Sequence, residues 1–188
     1  MTAKKNNKPV FQGSGSAPMD PLGQDFRKAM RRLTSAVSVI STAHDGVRHG
    51  ITVTSVTSVS MTPPSILFCV NRASRLHNPL VCAGHFCINI LHAHQIEIAD
   101  AFSGRIAGED RFLIGEWASS DAEMPYLIPA QANIFCETDA ISSYGTHSIV
   151  IGKVREVAVR GQVAPLLYQD GNYTVGLGEG VDWIVPIA

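Results

Sequence analysis

The spacing of apolar residues changes several times along the chain, and each change predicts an element. Leu22, Phe26, Met30 and Leu33 recur at helical intervals, with Arg27, Lys28, Arg31 and Arg32 on the remaining faces. That pattern predicts an amphipathic helix lying on an apolar surface. From Val37, Val39 and Ile40 the residues become β-branched, and His44-Asp45-Gly46 supplies hairpin-turn chemistry. Residues 51–60 are almost wholly β-branched or hydroxylated, which is strand chemistry. The alternation fails after Val53, because Val56 and Val59 are three apart, so a bulge or strand end is expected near Thr54-Ser55. After the break at Pro63-Pro64, the apolar run of residues 66–70 predicts a strand buried on both faces.

A short helix is expected over residues 78–83, with Asn78 as N-cap and Pro79 in the first helical position. Residues 86–91 read as a strand, and Ile96, Ala99 and Phe102 as a helix after Gln95. Residues 103–130 are mixed and loop-rich. Residues 134–140 and 147–159 are the last long strands, followed by Pro165-Leu166-Leu167-Tyr168 and a Gly171-Asn172 turn before Tyr173. Many strands and a few short helices without regular alternation argue for a mainly β fold, an antiparallel barrel with appended helices, over a doubly wound sheet. The expected organisation is a flexible arm over residues 1–20, one domain over 21–175 and a tail over 176–188. Gly176, Gly178 and Gly180 fall in that tail, and no dinucleotide-binding glycine motif lies between a strand and a helix.

Composition narrows the classes. A chain of 188 residues, 45% hydrophobic and 16% charged, suits one domain with one sizeable core. Sparse charge hints that some surface is covered by self-association. The net charge of -1 offers no basic excess for a nucleic-acid backbone. No apolar run is long enough to span a bilayer and no secretory h-region opens the chain, so a cytoplasmic protein is expected. Cys69, Cys82, Cys87 and Cys136 form no C-x-x-C pair, sit in or beside apolar runs, and are expected as buried free thiols. Serine-hydrolase elbow, zinc-protease and Walker A motifs are absent.

Three segments could carry chemistry. Asn71-Arg72-Ala73-Ser74-Arg75-Leu76-His77 leaves a buried strand and enters a helix, with two guanidiniums, a hydroxyl and an amide that suit a phosphate or a plain polar loop. In residues 52–60, six of nine are Ser or Thr, fit for a flat heterocycle or simply for a strand with a polar face. Tyr144-Gly145-Thr146-His147 places a histidine at the start of a strand, where it is either structural or ligand-facing. His92 and His94 form an H-x-H without an evident third ligand, so no metal is expected.

Together these segments resemble the short-chain flavin reductase family, the reductase components of two-component flavin monooxygenases. The matching run is Gly50-Ile51-Thr52-Val53-Thr54-Ser55-Val56-Thr57-Ser58-Val59-Ser60, then Pro63-Pro64, residues 66–71 and Ser74. Residues 84–91, Gln95, Phe102, Arg111-Phe112, Gly145-Thr146-His147 and Pro165-Leu166-Leu167-Tyr168 continue it, over about residues 25–173. The resemblance implies an antiparallel Greek-key split β-barrel of the FMN-binding type, a homodimer, and FMN (or FAD) reduced by NADH. It implies ring contacts from the Gly50-Ile51-Thr52 stretch, Thr54 and Ser55, and from Cys69, Val70 and Asn71. Ser74, Arg75 and Phe102 would hold the phosphate side. His147 would serve the nicotinamide side as the catalytic residue, with Tyr168 and Gln169 beside it, although Thr146 stands where the family usually has Asp. Reduced flavin would diffuse to a separate monooxygenase. Rival expectations are a split-barrel binding module without turnover, a flavin oxidase with its own organic substrate, and a purely structural dimer.

Overall fold

A computed structural model describes residues 20–106 and 108–176. Helix α1 (Pro21–Met30) starts where the Asp20 carboxylate accepts a hydrogen bond from the Gly23 N–H at 2.7 Å. Its apolar stripe stays largely uncovered, although Met30 and Leu33 border a groove shared with Thr54 and Tyr168. Leu22, Phe26, Met30 and Leu33 are 77, 64, 47 and 57% exposed, so the apolar surface expected beneath this helix is not supplied by the described residues.

Strand β1 (Ser35–Ala36) precedes β2 (Ser38–His44) and β3 (Val47–Val53). The β2–β3 turn holds Asp45 at φ 52° and Gly46 at φ 76°, the paired left-handed residues that match the twist of a tight hairpin. At residues 54–56 the chain leaves the ladder, so the expected irregularity is a strand end. It re-enters as β4 (Thr57–Met61), paired with β5 (Pro64–Asn71).

Helix α2 (His77–Ala83) begins one residue earlier than expected. Asn78 sits inside it, with Oδ1 3.2 Å from His77 Nδ1, and Leu76 takes the cap position without a side-chain hydrogen bond. Strand β6 (His85–Ile90) follows, then α3 (Ile96–Asp100), a π-helical turn (Ala101–Arg105) and a 3-10 turn (Gly108–Leu113). Strands β7 (Trp117–Ser119) and β8 (Pro125–Leu127) form a small ladder within the stretch expected as loop. The long hairpin β9 (Ala132–Tyr144) and β10 (His147–Val159) turns at Gly145, and β11 (Leu166–Gln169) and β12 (Asn172–Val175) end the described chain.

The main sheet is antiparallel, in the order β3-β2-β6-β9-β10-β5-β4, and β1-β11-β12 form a second sheet. Val53 of the β3 edge shares one core with Ile66, Phe68 and Val70 of β5, with four strands between them in the sheet, and with Ile40, Phe86, Val150 and Leu80. A flat sheet could not bury these side chains together, so the sheet curls around them. On β2, Ile40 faces this core while Val39 faces a second one, with Leu91, Ile98, Phe102, Phe112, Leu127 and Leu166. That two-sided burial leaves β2 without an exposed face from Ser38 to Thr42, and its Ser38, Ser41 and Thr42 are buried with the apolar residues. All four cysteines are free thiols, but only Cys87 and Cys136 are buried. Cys69 is half-buried and Cys82 exposed, because each lies on the outward side of its element. Among the described residues no helix is long and apolar enough to cross a membrane.

Candidate functional site

A cavity of about 340 Å³ opens where the β3 end meets the β5 end. It is lined by Ile51, Thr52, Val53, Thr54 and Ser55, by Cys69, Val70 and Asn71, and by His147 and Tyr168, together with Val37, Ser103 and Tyr173. Its size lies in the range of small-molecule sites. Two stretches that were candidates separately are thus walls of one cavity.

Register explains the convergence. His147 begins β10 directly opposite Asn71. The turn before it is tied to the next loop, because Arg72 donates from its N–H to the Thr146 carbonyl at 3.0 Å and from its guanidinium to the Gly145 carbonyl at 2.6 Å. Arg72 is therefore a brace for the histidine turn and not a free phosphate ligand. Thr146 Oγ1 lies 2.8 Å from His147 Nδ1, so the hydroxyl restrains the imidazole. Ser55 Oγ bridges the N–H and carbonyl of Cys69, at 3.1 and 3.2 Å. Thr52 Oγ1 donates to the Ala99 carbonyl at 2.7 Å. Two hydroxyls expected to meet a ligand thus hold the wall in shape. Thr54 and Ser55 line the cavity past the end of the ladder, and their N–H groups have no backbone partner among the described residues.

The loop after Asn71 carries a cationic feature. Ser74 donates its N–H to the Asn71 carbonyl at 2.9 Å, while its Oγ is buried without a hydrogen-bond partner. Arg75 is exposed, and its charge reaches Arg111. Arg111 is only 7% exposed, its Nε has no partner, and its guanidinium stands 5.4 Å from the Phe102 ring centre. The nearby carboxylate of Glu109 is engaged by Arg48, whose N–H and Nε donate to it at 3.0 and 3.2 Å. These bonds hold the Glu109 carboxyl below its ordinary range. Burial, then the charge of Arg75, pulls the Arg111 guanidinium down. Burial, then Arg111, lowers His49. A buried hydroxyl and a buried guanidinium nitrogen without partners, with the Arg75 charge acting on Arg111, are features that suit an anion.

Not every expected residue reaches the cavity. Phe102 is fully buried, with its ring 4.9 Å from Phe112 and 5.0 Å from Trp117, so a ligand contact is corrected to a packing role. Gly50 belongs with it: a Cβ there would stand 2.8 Å from the Phe102 ring. Gln169 lines a separate groove with Arg31 and Asp170, because successive residues of β11 point to opposite faces. Ser74 and Arg75 lie beyond the cavity, past Asn71. His92 and His94 pack as rings 5.0 Å apart, and His92 Nδ1 accepts from the His94 N–H at 3.3 Å; the described residues assemble no group of three metal ligands. Sequence reasoning missed Val37, Ser103, Tyr173 and Arg111. Tyr173 was within reach, since the Gly171-Asn172 turn pairs it with Tyr168.

A family model described as a flavin reductase like domain matches residues 30–176. The chain belongs to that family. Among its relatives is the reductase component of the FADH(2)-dependent resorcinol hydroxylase of Rhizobium sp. (strain MTP-10005), 42% identical over 174 residues, or 92% of this chain and 97% of the relative. The FMN reductase (NADH) RutF of Methylorubrum populi is 35% identical over 164 residues, covering 87% of this flavin reductase family member and 80% of RutF. The crystal structure of a nitrilotriacetate monooxygenase component B homologue from Mycobacterium thermoresistibile superposes with a TM-score of 0.78 at 29% identity, over 88% of this chain and 94% of that one.

Proposed function

We propose that this flavin reductase oxidises NADH, transfers the hydride to FMN or FAD, and releases reduced flavin to a separate monooxygenase by diffusion. The observation that carries the reading is the single cavity walled by residues 51–55, 69–71 and His147. Flavin, when bound, supplies the hydride-accepting ring, and the protein supplies position and electrostatics. The free N–H groups around Thr54 and Ser55 donate to the acceptor edge of the ring, where charge grows on reduction. Cys69 and Val70 give that ring an apolar wall, and Asn71 a polar corner. Ser74, Arg75 and Arg111 take the phosphate, which satisfies two buried polar atoms that otherwise lack partners. His147, braced by Thr146, orients the nicotinamide and has no need to carry a proton.

The curled sheet supports a split barrel. The uncovered end of the α1 stripe at Leu22 and Phe26 supports a homodimer in which a second copy covers it. Free thiols throughout support a cytoplasmic protein.

His147→Ala tests the assignment of roles. It raises KM for NADH and leaves flavin affinity within about twofold, since the lost contact is to the coenzyme. A collapse of flavin affinity contradicts the role given to His147. Tight flavin retention without NADH oxidation marks a binding module instead.

A further inference from the structure

Beside the candidate cavity lies a groove of about 560 Å³ between α1 and the turn after β11. Arg27, Met30, Arg31 and Leu33 line one side of it, and Asp170 and Gly171 the other. Thr54, Ser55 and Tyr168 line both the groove and the cavity, so the two spaces adjoin. The groove shares neither Asn71 nor Ser103 with the cavity, and therefore opens off its tyrosine side, not the side that leads to Ser74 and Arg75. Among the described residues Arg31 has a single weak ion pair, with Asp170 at 3.9 Å, and both side chains are more than half exposed. Arg27 has no side-chain hydrogen bond or ion pair among the described residues, whereas Lys28 is paired with Asp25 at 2.8 Å. On the far side of Arg31 a second groove carries Lys28 and Arg32, so positive charge continues along the helix.

The proposed reaction brings two anionic ligands to one cavity. On the proposed reading the flavin phosphate goes to Ser74, Arg75 and Arg111. The nicotinamide coenzyme carries a diphosphate, tethered to a ring that has to lie in the cavity, and that charge needs a cationic wall within reach. We propose that Arg27 and Arg31 of α1 bind the diphosphate of the nicotinamide coenzyme, with Met30 and Leu33 as the apolar floor beneath its adenosine. This rests on the reading of the chain as an NADH:flavin reductase. Guanidinium–phosphate hydrogen bonds are charge-assisted and outcompete the long Arg31–Asp170 pair. Because the arginines are exposed, the contribution is screened by salt.

The test is a double variant, Arg27→Ala with Arg31→Ala, in the full chain. Alanine maintains the helix, so α1 stays formed. Four quantities are measured: KM for NADH, KM for dihydronicotinamide riboside (which has no phosphate), and Kd for FMN and for FAD. The proposal expects KM for NADH to rise about tenfold or more, as for loss of charge-assisted hydrogen bonds, and the rise to shrink with added salt. It expects the riboside KM and both flavin affinities to stay within about twofold. An unchanged KM for NADH overturns it. So does an equal loss with the riboside, which marks a structural role, or a loss confined to FAD affinity, which assigns the groove to the adenylate of FAD. A wild-type protein that oxidises no NADH overturns the reductase reading itself, and is thereby distinguished from failure of the groove alone.

Discussion

The Ser55 hydroxyl stands between the N–H and the carbonyl of Cys69, accepting from one at 3.1 Å and donating to the other at 3.2 Å. Four strands separate β3 from β5 in the sheet order, so this side chain links the two sides of the curled sheet. It does so at the wall of the candidate cavity.

Replacing Ser55 with Ala therefore acts on the cavity more than on the core. Losing both bonds lowers stability by about 1–2 kcal/mol and weakens flavin binding by about tenfold, because the segment at residues 54–56 is no longer held to β5. Flavin fluorescence titration and urea unfolding measure the two effects.

Arg111 gives a prediction of the opposite sign for stability. Arg111→Met removes a buried charge that has no carboxylate partner among the described residues and retains the packing on Phe102. The unliganded variant is as stable as the parent or more so. Its affinity for FMN falls by roughly 10–100-fold, the scale of a hydrogen bond to a charged group, while its affinity for riboflavin, which has no phosphate, is unchanged. Parallel titrations with the two flavins check this.

Much of this was legible in the chain. The strand end after Val53, the Asp45-Gly46 hairpin and β10 follow from local spacing, turn chemistry and β-branched residues, which act over a few residues. That residues 51–55 and 69–71 meet was expected from the resemblance. Local pattern fails where a residue's role depends on a distant partner. Phe102 matched a ligand contact by position but is enclosed by Phe112 and Trp117. Arg72 looked like a phosphate ligand until the Gly145 carbonyl occupied it. Arg111 was part of the resemblance, but nothing local gave it a role, since its burial without an ion pair among the described residues is a property of the folded surroundings. The α1 stripe predicted a helix correctly, but periodicity does not say what covers an apolar face.

Gly50 tests the packing behind the cavity. In Gly50→Ala the added methyl stands 2.8 Å from the Phe102 ring and 3.1 Å from the Ile40 carbonyl, so the ring or β3 shifts. Overpacking of this kind costs about 1–3 kcal/mol. A lowered urea midpoint is expected, partly restored by Phe102→Leu.

The thiols separate by burial. A thiol reagent modifies Cys82 first and Cys69 more slowly, with flavin protecting Cys69, and leaves Cys87 and Cys136 intact until the protein unfolds. Burial raises both inner thiols, Cys136 to about 12 and Cys87 further. The unfolded thiols lose protons near pH 8.5, so stability from this source is intact below that pH and falls as pH rises toward the folded values. The loss reaches about 2 kcal/mol per thiol at pH 10. Urea midpoints between pH 7 and 10 follow the decline, and Cys136→Ala makes it shallower.

Mixing the protein with FMN and NADH under anaerobic conditions and following flavin absorbance tests the central reading most directly. The cavity formed by the β3 and β5 ends predicts bleaching far faster than in the protein-free mixture, with FMN, FAD or both. Bleaching at the unaided rate with both flavins, and with NADPH as well as NADH, contradicts it.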